Sequence, residues 1–69
     1  MEELTEKQKN VLKYIKGYII KNGFPPSVRD IGENFNINVG AVQGFLLALQ
    51  KKGFVKKSFK ISRGLKVLK

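Results

Sequence analysis

Cysteine and histidine are both missing from the 69 residues, and no acidic side chain follows Glu33. The first two absences remove disulfide staples, thiolate and imidazole metal sites, and nucleophile–histidine catalysis together. The five carboxylates are scattered through the first half of the chain, so no acid–base pair or metal cluster can be named. Neither an enzyme nor a metal or other cofactor is expected. No apolar run approaches the roughly 20 residues that span a bilayer. The opening MEELTEKQKN has neither the basic start nor the apolar stretch of a secretory leader. The chain reads as one small, soluble, cytoplasmic domain, whose core must be packed economically at this length.

The charge that is present is unevenly placed. Up to residue 50, Lys7, Lys9, Lys13, Lys16, Lys21 and Arg29 nearly balance Glu2, Glu3, Glu6, Asp30 and Glu33. From Lys51 onward, Lys51, Lys52, Lys56, Lys57, Lys60, Arg63, Lys66 and Lys69 stand without a single counter-charge, and they supply most of the net +9. Such a polarity draws a polyanion to one face. A lysine-rich surface is often merely solvated, but clustering without counter-charge favours nucleic acid, and charge alone leaves an anionic membrane surface open.

Periodicity predicts three helices, at about 5–22, 27–35 and 39–52, followed by a hairpin at about 54–68. Thr5 with Gln8 makes a capping box, and Val11, Leu12, Ile15, Tyr18 and Ile19 then recur at helical spacing. Asn22-Gly23 supplies a left-handed stop, and Phe24-Pro25-Pro26 forces an extended connection. Ser27 caps the second helix with Asp30 reaching back, and Val28, Ile31 and Phe35 form its buried stripe. Asn36-Ile37-Asn38 makes a tight turn. In the third helix Val42, Phe45, Leu46 and Leu49 share one face, opposite Gly40, Ala41, Gln43, Gly44, Leu47 and Ala48, and Gly53 ends it. Phe54–Lys57 and Leu65–Leu68 read as two short strands joined by a basic loop. The layout, mainly α with a small β-hairpin, is that of a three-helix winged helix-turn-helix: the second helix of the pair can enter the major groove while the first braces it.

The residues also resemble a known family. LTEKQ, NGFPPS followed by RDI, ALQKKG and SRG, in this order and spacing, are similar to the N-terminal DNA-binding domain of LexA-type SOS repressors, over nearly the whole chain. The resemblance implies sequence-specific binding of double-stranded DNA and transcriptional repression, usually as a dimer on a palindromic operator. Family members carry a second domain whose serine and lysine cleave the chain, and which supplies most of the dimer contact. These residues hold nothing that can supply either.

The third helix also departs from the family, whose first turns here carry base-reading polar or acidic groups. The corresponding positions read Asn38, Val39, Gly40, Ala41, Gln43 and Gly44, so the operator is expected to differ from the best-known one. Glycine within a helix costs about 1 kcal/mol against alanine. Two of them four apart either let the backbone approach the groove closely or are simply tolerated by a helix pinned elsewhere. Gln43 is the best candidate base reader, since a carboxamide pairs bidentately with adenine N6 and N7. Asn38 can do the same or can cap the helix through its side-chain oxygen. Val39 and Ala41 can pack on a thymine methyl or act as spacers.

Phosphate contacts are expected from Ser27, with its hydroxyl and helix-end amides, and from Lys52, Lys56, Lys57, Lys60 and Arg63 along the wing. Phe59 either folds over the core or packs on a groove wall. The competing reading is a protein-binding module using an apolar strip of Val39, Leu47 and Ala48, with the lysines only keeping it soluble. No small-molecule ligand or membrane partner is expected. With the apolar stripes used up in one core, the protein is expected to be a monomer in solution, with two copies able to occupy a palindrome.

Overall fold

Thr5 adopts extended angles and opens α1 (Glu6–Asn22) with a reciprocal pair of bonds. The Gln8 amide donates to Thr5 Oγ1 at 3.2 Å, and the Thr5 amide donates to Gln8 Oε1 at 3.0 Å. These bonds satisfy donors that have no partner inside the helix. In the computed structural model, which describes residues 3–57 and 64–68, the same device starts α2 (Val28–Phe35). There the Asp30 amide donates to Ser27 Oγ at 3.1 Å and the Ser27 amide to Asp30 Oδ2 at 3.0 Å. Gly23, at φ 81°, stops α1 by donating to the Ile19 carbonyl. Asn36, at φ 56°, stops α2 by donating to Gly32. Asparagine tolerates this left-handed region better than other residues with a Cβ.

The chain then turns into α3 (Val39–Lys51). At its far end the Phe54 amide donates to the Leu49 carbonyl at 2.9 Å and the Gly53 amide to Gln50 at 3.0 Å. With Gly53 at φ 82°, this is the paired closure that glycine permits after a helix. It delivers the chain into β1 (Val55–Lys57), which pairs antiparallel with β2 (Leu65–Val67). The Leu68 amide donates to the Phe54 carbonyl at 2.8 Å and prolongs the ribbon beyond its last ladder pair.

Val11, Leu12 and Ile15 of α1, Ile31 of α2, Val42, Leu46 and Leu49 of α3, and Val55 and Leu65 of the hairpin make one buried cluster. Ile15, Ile31 and Leu49 are wholly excluded from solvent. Truncating any of them to alanine costs about 2–5 kcal/mol, a large share of what holds a domain of this size. Tyr18, Ile19, Val28, Phe35 and Phe45, expected in the core stripes, are only half-buried and form its rim. The rim is partly aromatic: Tyr14 meets Phe35 edge-on with centroids 5.5 Å apart, and Tyr18 meets Phe24 at 5.9 Å. Each strand has three residues, one fewer than the pattern predicts at the outer ends. Among the described residues no helix is long and apolar enough to cross a membrane.

The α2–α3 angle is held by a close approach. A Cβ on Gly32 would stand 2.9 Å from the Ile37 carbonyl oxygen, closer than real Cβ atoms come, and the Ile37 amide donates back to Gly32 at 2.9 Å. Only glycine fits between the second helix and the turn that launches the third.

Candidate nucleic-acid interface

Val42, Leu46 and Leu49 pin α3 to the core, which leaves its other side outward. Val39, Gly40, Ala41, Gln43, Gly44 and Leu47 are all exposed, as is Asn38 just before the helix. Six of the residues expected to face DNA are thus brought to one surface, the start and outer side of α3. Gln43 lies in the open in the second turn, and among the described residues its carboxamide has no partner within the protein. Both ends of that amide remain available for a base edge.

Asn38 is differently placed. Its Oδ1 accepts from the Ala41 amide at 2.7 Å, which is the capping role and occupies one of the oxygen's two lone pairs. The amide nitrogen of the same side chain is the part left to donate outward.

The two helical glycines differ from Gly32. A Cβ at Gly44 would meet nothing within 4 Å, and one at Gly40 would meet only Asn38 Oδ1 at 3.4 Å. Neither position has positive φ. Among the described residues nothing therefore demands glycine at Gly44, and ordinary contact is all that opposes a side chain at Gly40.

The expected phosphate-binding residues fall into three groups. Ser27 uses its backbone amide and its Oγ lone pair in the capping box with Asp30, so only the hydroxyl hydrogen and the amides of the first turn of α2 are left to donate. The Asp30 carboxylate is anchored at the same point by Tyr18, whose hydroxyl donates to Oδ2 at 3.4 Å. Lys52 is turned inward: its Nζ donates to the Glu3 carbonyl at 2.8 Å and to Gln8 Oε1 at 3.0 Å. That ammonium ties the end of α3 to the start of α1. Lys56 is exposed and Lys57 half-exposed on β1. Lys60 and Arg63, with Phe59, lie outside the described residues.

Two cations missing from the sequence-based set stand beside α3. Exposed Arg29, in the first turn of α2, lines with Asn38 and Val39 a shallow groove between the two helices. Its signal in the sequence is its place two residues after the Ser27 cap, at the positive end of a helix, a position that charge balance alone does not distinguish within a nearly neutral half. Lys7, with Asn10, Ala41 and Phe45, borders a depression of about 430 Å³ on the other flank of α3. Away from this surface, burial first and then the electrostatic influence of Asp30, Tyr18 and Glu33 raise the Tyr14 phenol above its ordinary pKa. This perturbed group belongs to the packing between α1 and α2.

The family model for the LexA DNA binding domain matches residues 1–64. The LexA repressor of Petrotoga mobilis is 46% identical over 69 residues, covering 99% of this chain and 33% of the relative. Those of Thermosipho melanesiensis and Leptospira biflexa are each 42% identical over 100% of this chain, which corresponds to 35% and 34% of their own lengths. The chain spans about a third of the length of the curated relatives it matches.

Proposed function

The chain belongs to the LexA DNA-binding domain family, and from that premise we propose that it binds double-stranded DNA sequence-specifically through α3, as the DNA-reading part of a transcriptional repressor. The observation that carries the reading is the outer side of α3. Among the described residues Gln43 has no partner there, and none of them accounts for the missing side chain at Gly44. Gln43 reads a base edge, with adenine the best match to its carboxamide. Val39 and Ala41 contact thymine methyls, Asn38 donates through its amide nitrogen, and Gly40 and Gly44 let the helix backbone sit close to the groove floor.

Affinity comes from phosphates held by Lys56, Lys57, Lys60, Arg63 and Arg29, with the Ser27 hydroxyl and the first amides of α2 adding neutral donors. Lys52 is left out of this set because its ammonium is engaged inside the fold. The operator is a palindrome occupied by two copies of a protein that is monomeric when free. Each half of a standard interface removes about 800 Å², about a sixth of the 4921 Å² accessible here. The main apolar faces are already in the core.

The competing reading, a protein-binding surface on α3, rests on the exposure of Val39 (49%) and Leu47 (55%). These stand two turns apart with Gln43 and the glycines between them, and Ala48 is half-buried, so the strip is interrupted. A salt series separates the two. With about five phosphate contacts, log K for duplex DNA should fall with log salt at a slope of about −4 to −5. Gln43→Ala should cost about 1–3 kcal/mol on the best site selected from a random pool and little on random duplex. A flat salt response favours the protein-binding surface, and equal losses on both DNAs remove Gln43 as a base reader.

A further inference from the structure

β1 and β2 pair in a single register, with Val55 opposite Val67, Lys56 opposite Lys66, and Lys57 opposite Leu65. Side chains alternate between the faces of a strand. Lys56 and Lys66 therefore share the outer face of the ribbon, and both are exposed, while Val55 and Leu65 on the other face are buried in the core. Directly opposed residues of an antiparallel pair have Cβ atoms about 4.5–5.5 Å apart. Two ammonium groups are thus carried from one spot on a short ribbon whose inner face is anchored and whose end is closed by the Leu68–Phe54 bond.

Like charges so placed repel and destabilise the strand pair, whereas opposite charges would support it. Among the described residues no ion pair relieves the repulsion, and no acidic residue follows Glu33 in the sequence. The free protein therefore carries an electrostatic penalty at the middle of its hairpin, and an anion placed between the two cations removes it.

We infer that Lys56 and Lys66 form one two-point site for a single DNA backbone phosphate, each ammonium donating to one non-bridging oxygen of the same diester. The inference rests on the DNA-binding reading and deepens it, adding Lys66 on the return strand, where the basic loop alone would draw attention to the wing tip. A diester fits because it offers two acceptor oxygens on one compact group, close enough for both lysines to reach from opposed positions.

The test measures binding of a labelled duplex across a salt series for the parent protein, Lys56→Gln, Lys66→Gln and the double variant, with Lys16→Gln on the exposed surface of α1 as control. Each single change should weaken binding about tenfold while leaving the salt slope nearly unchanged, because the remaining ammonium still neutralises the shared phosphate, and the double variant should flatten the slope by about 0.9 in total. Additive losses, with a slope change of about 1.8, would mean two separate phosphates and overturn the shared site. An unchanged Lys66→Gln would overturn it as well. A second arm needs no DNA: Lys66→Glu, which builds an opposite-charge pair, should raise the melting temperature of the free protein while lowering its affinity. A melting temperature that stays level or falls would show that the two ammonium groups are not held against each other, and would sink the inference. If the parent itself binds no duplex at any salt, the DNA-binding reading fails and takes the site with it, an outcome distinct from all the others.

Discussion

Gly44→Ala should strengthen the fold and weaken DNA binding in the same molecule. The backbone there has no positive φ, and the added methyl meets nothing within 4 Å, so the usual helical penalty of glycine is recovered in full, about 0.5–1 kcal/mol. For a domain of this size 1 kcal/mol moves the melting temperature by about 4–8 °C, so a rise of roughly 2–8 °C is expected by circular dichroism. On DNA, the methyl enters the space between the helix backbone and the groove floor. Overpacking costs about 1–3 kcal/mol, a loss of roughly five- to 160-fold by fluorescence anisotropy on the best selected site. Two other glycines provide the controls. Gly17 in α1 is equally open, so Gly17→Ala should stabilise by a similar amount and leave affinity unchanged. Gly32→Ala should destabilise, because its Cβ would collide with the Ile37 carbonyl. A stabilised Gly44→Ala that binds as tightly as the parent would refute the close-approach reasoning and leave the glycine as merely tolerated.

Lys52→Met should lower stability by about 1 kcal/mol through its two lost bonds and leave the salt slope of DNA binding unchanged; a slope reduced by about 0.9 would put its ammonium on a phosphate. Tyr14 should govern part of the alkaline limit of the fold. Its folded-state pKa is raised by burial and then by Asp30, Tyr18 and Glu33, so its contribution is fully present below the unfolded-state value near 10 and is lost as pH rises through the folded-state value. Tyr14→Phe should remove that slope in denaturant titrations on either side of pH ~10, and an unchanged slope would clear Tyr14. Sedimentation of the free protein should give one species near 7.8 kDa, with two copies bound per two-half-site duplex; a tight dimer without DNA would shift weight to Val39 and Leu47 as an interface.

What could be read in advance was local. Thr5 with Gln8 and Ser27 with Asp30 are bonds across three residues, and both capping boxes form as their spacing implies. The apolar stripes of α1 and α3 supply the core because 3.6-residue periodicity needs no knowledge of neighbours. The non-local features were not legible. Lys52 reaches a carbonyl 49 residues away, so its count among the basic residues gave no hint that it faces inward. Gly32 looked like any other glycine until the turn carbonyl five residues later was folded against it. Asn38 has two open roles in the sequence, and the capping one takes form only in the folded chain, as a 2.7 Å bond from the Ala41 amide. The Lys56–Lys66 opposition depends on strand register, which composition does not carry.

The division of α3 into a buried and an outward side has a consequence for how such a protein can change its target over generations. The residues that hold the helix, Val42, Leu46 and Leu49, are distinct from those that face outward, Gly40, Gln43, Gly44 and Leu47. Substitutions at exposed positions usually shift stability by no more than about 0.5 kcal/mol, so variants on that side are not removed for failing to fold. On the proposed reading, a new operator preference can therefore be reached one residue at a time, each intermediate still folded and still carrying the basic residues of its hairpin. Gly40 and Gly44 widen that freedom, since most residues placed there would bring better helix propensity with them, offsetting part of any loss elsewhere. The same separation confines drift: a Cβ at Gly32 would stand 2.9 Å from the Ile37 carbonyl oxygen, so a change there shifts the turn that launches α3 and with it every outward side chain at once.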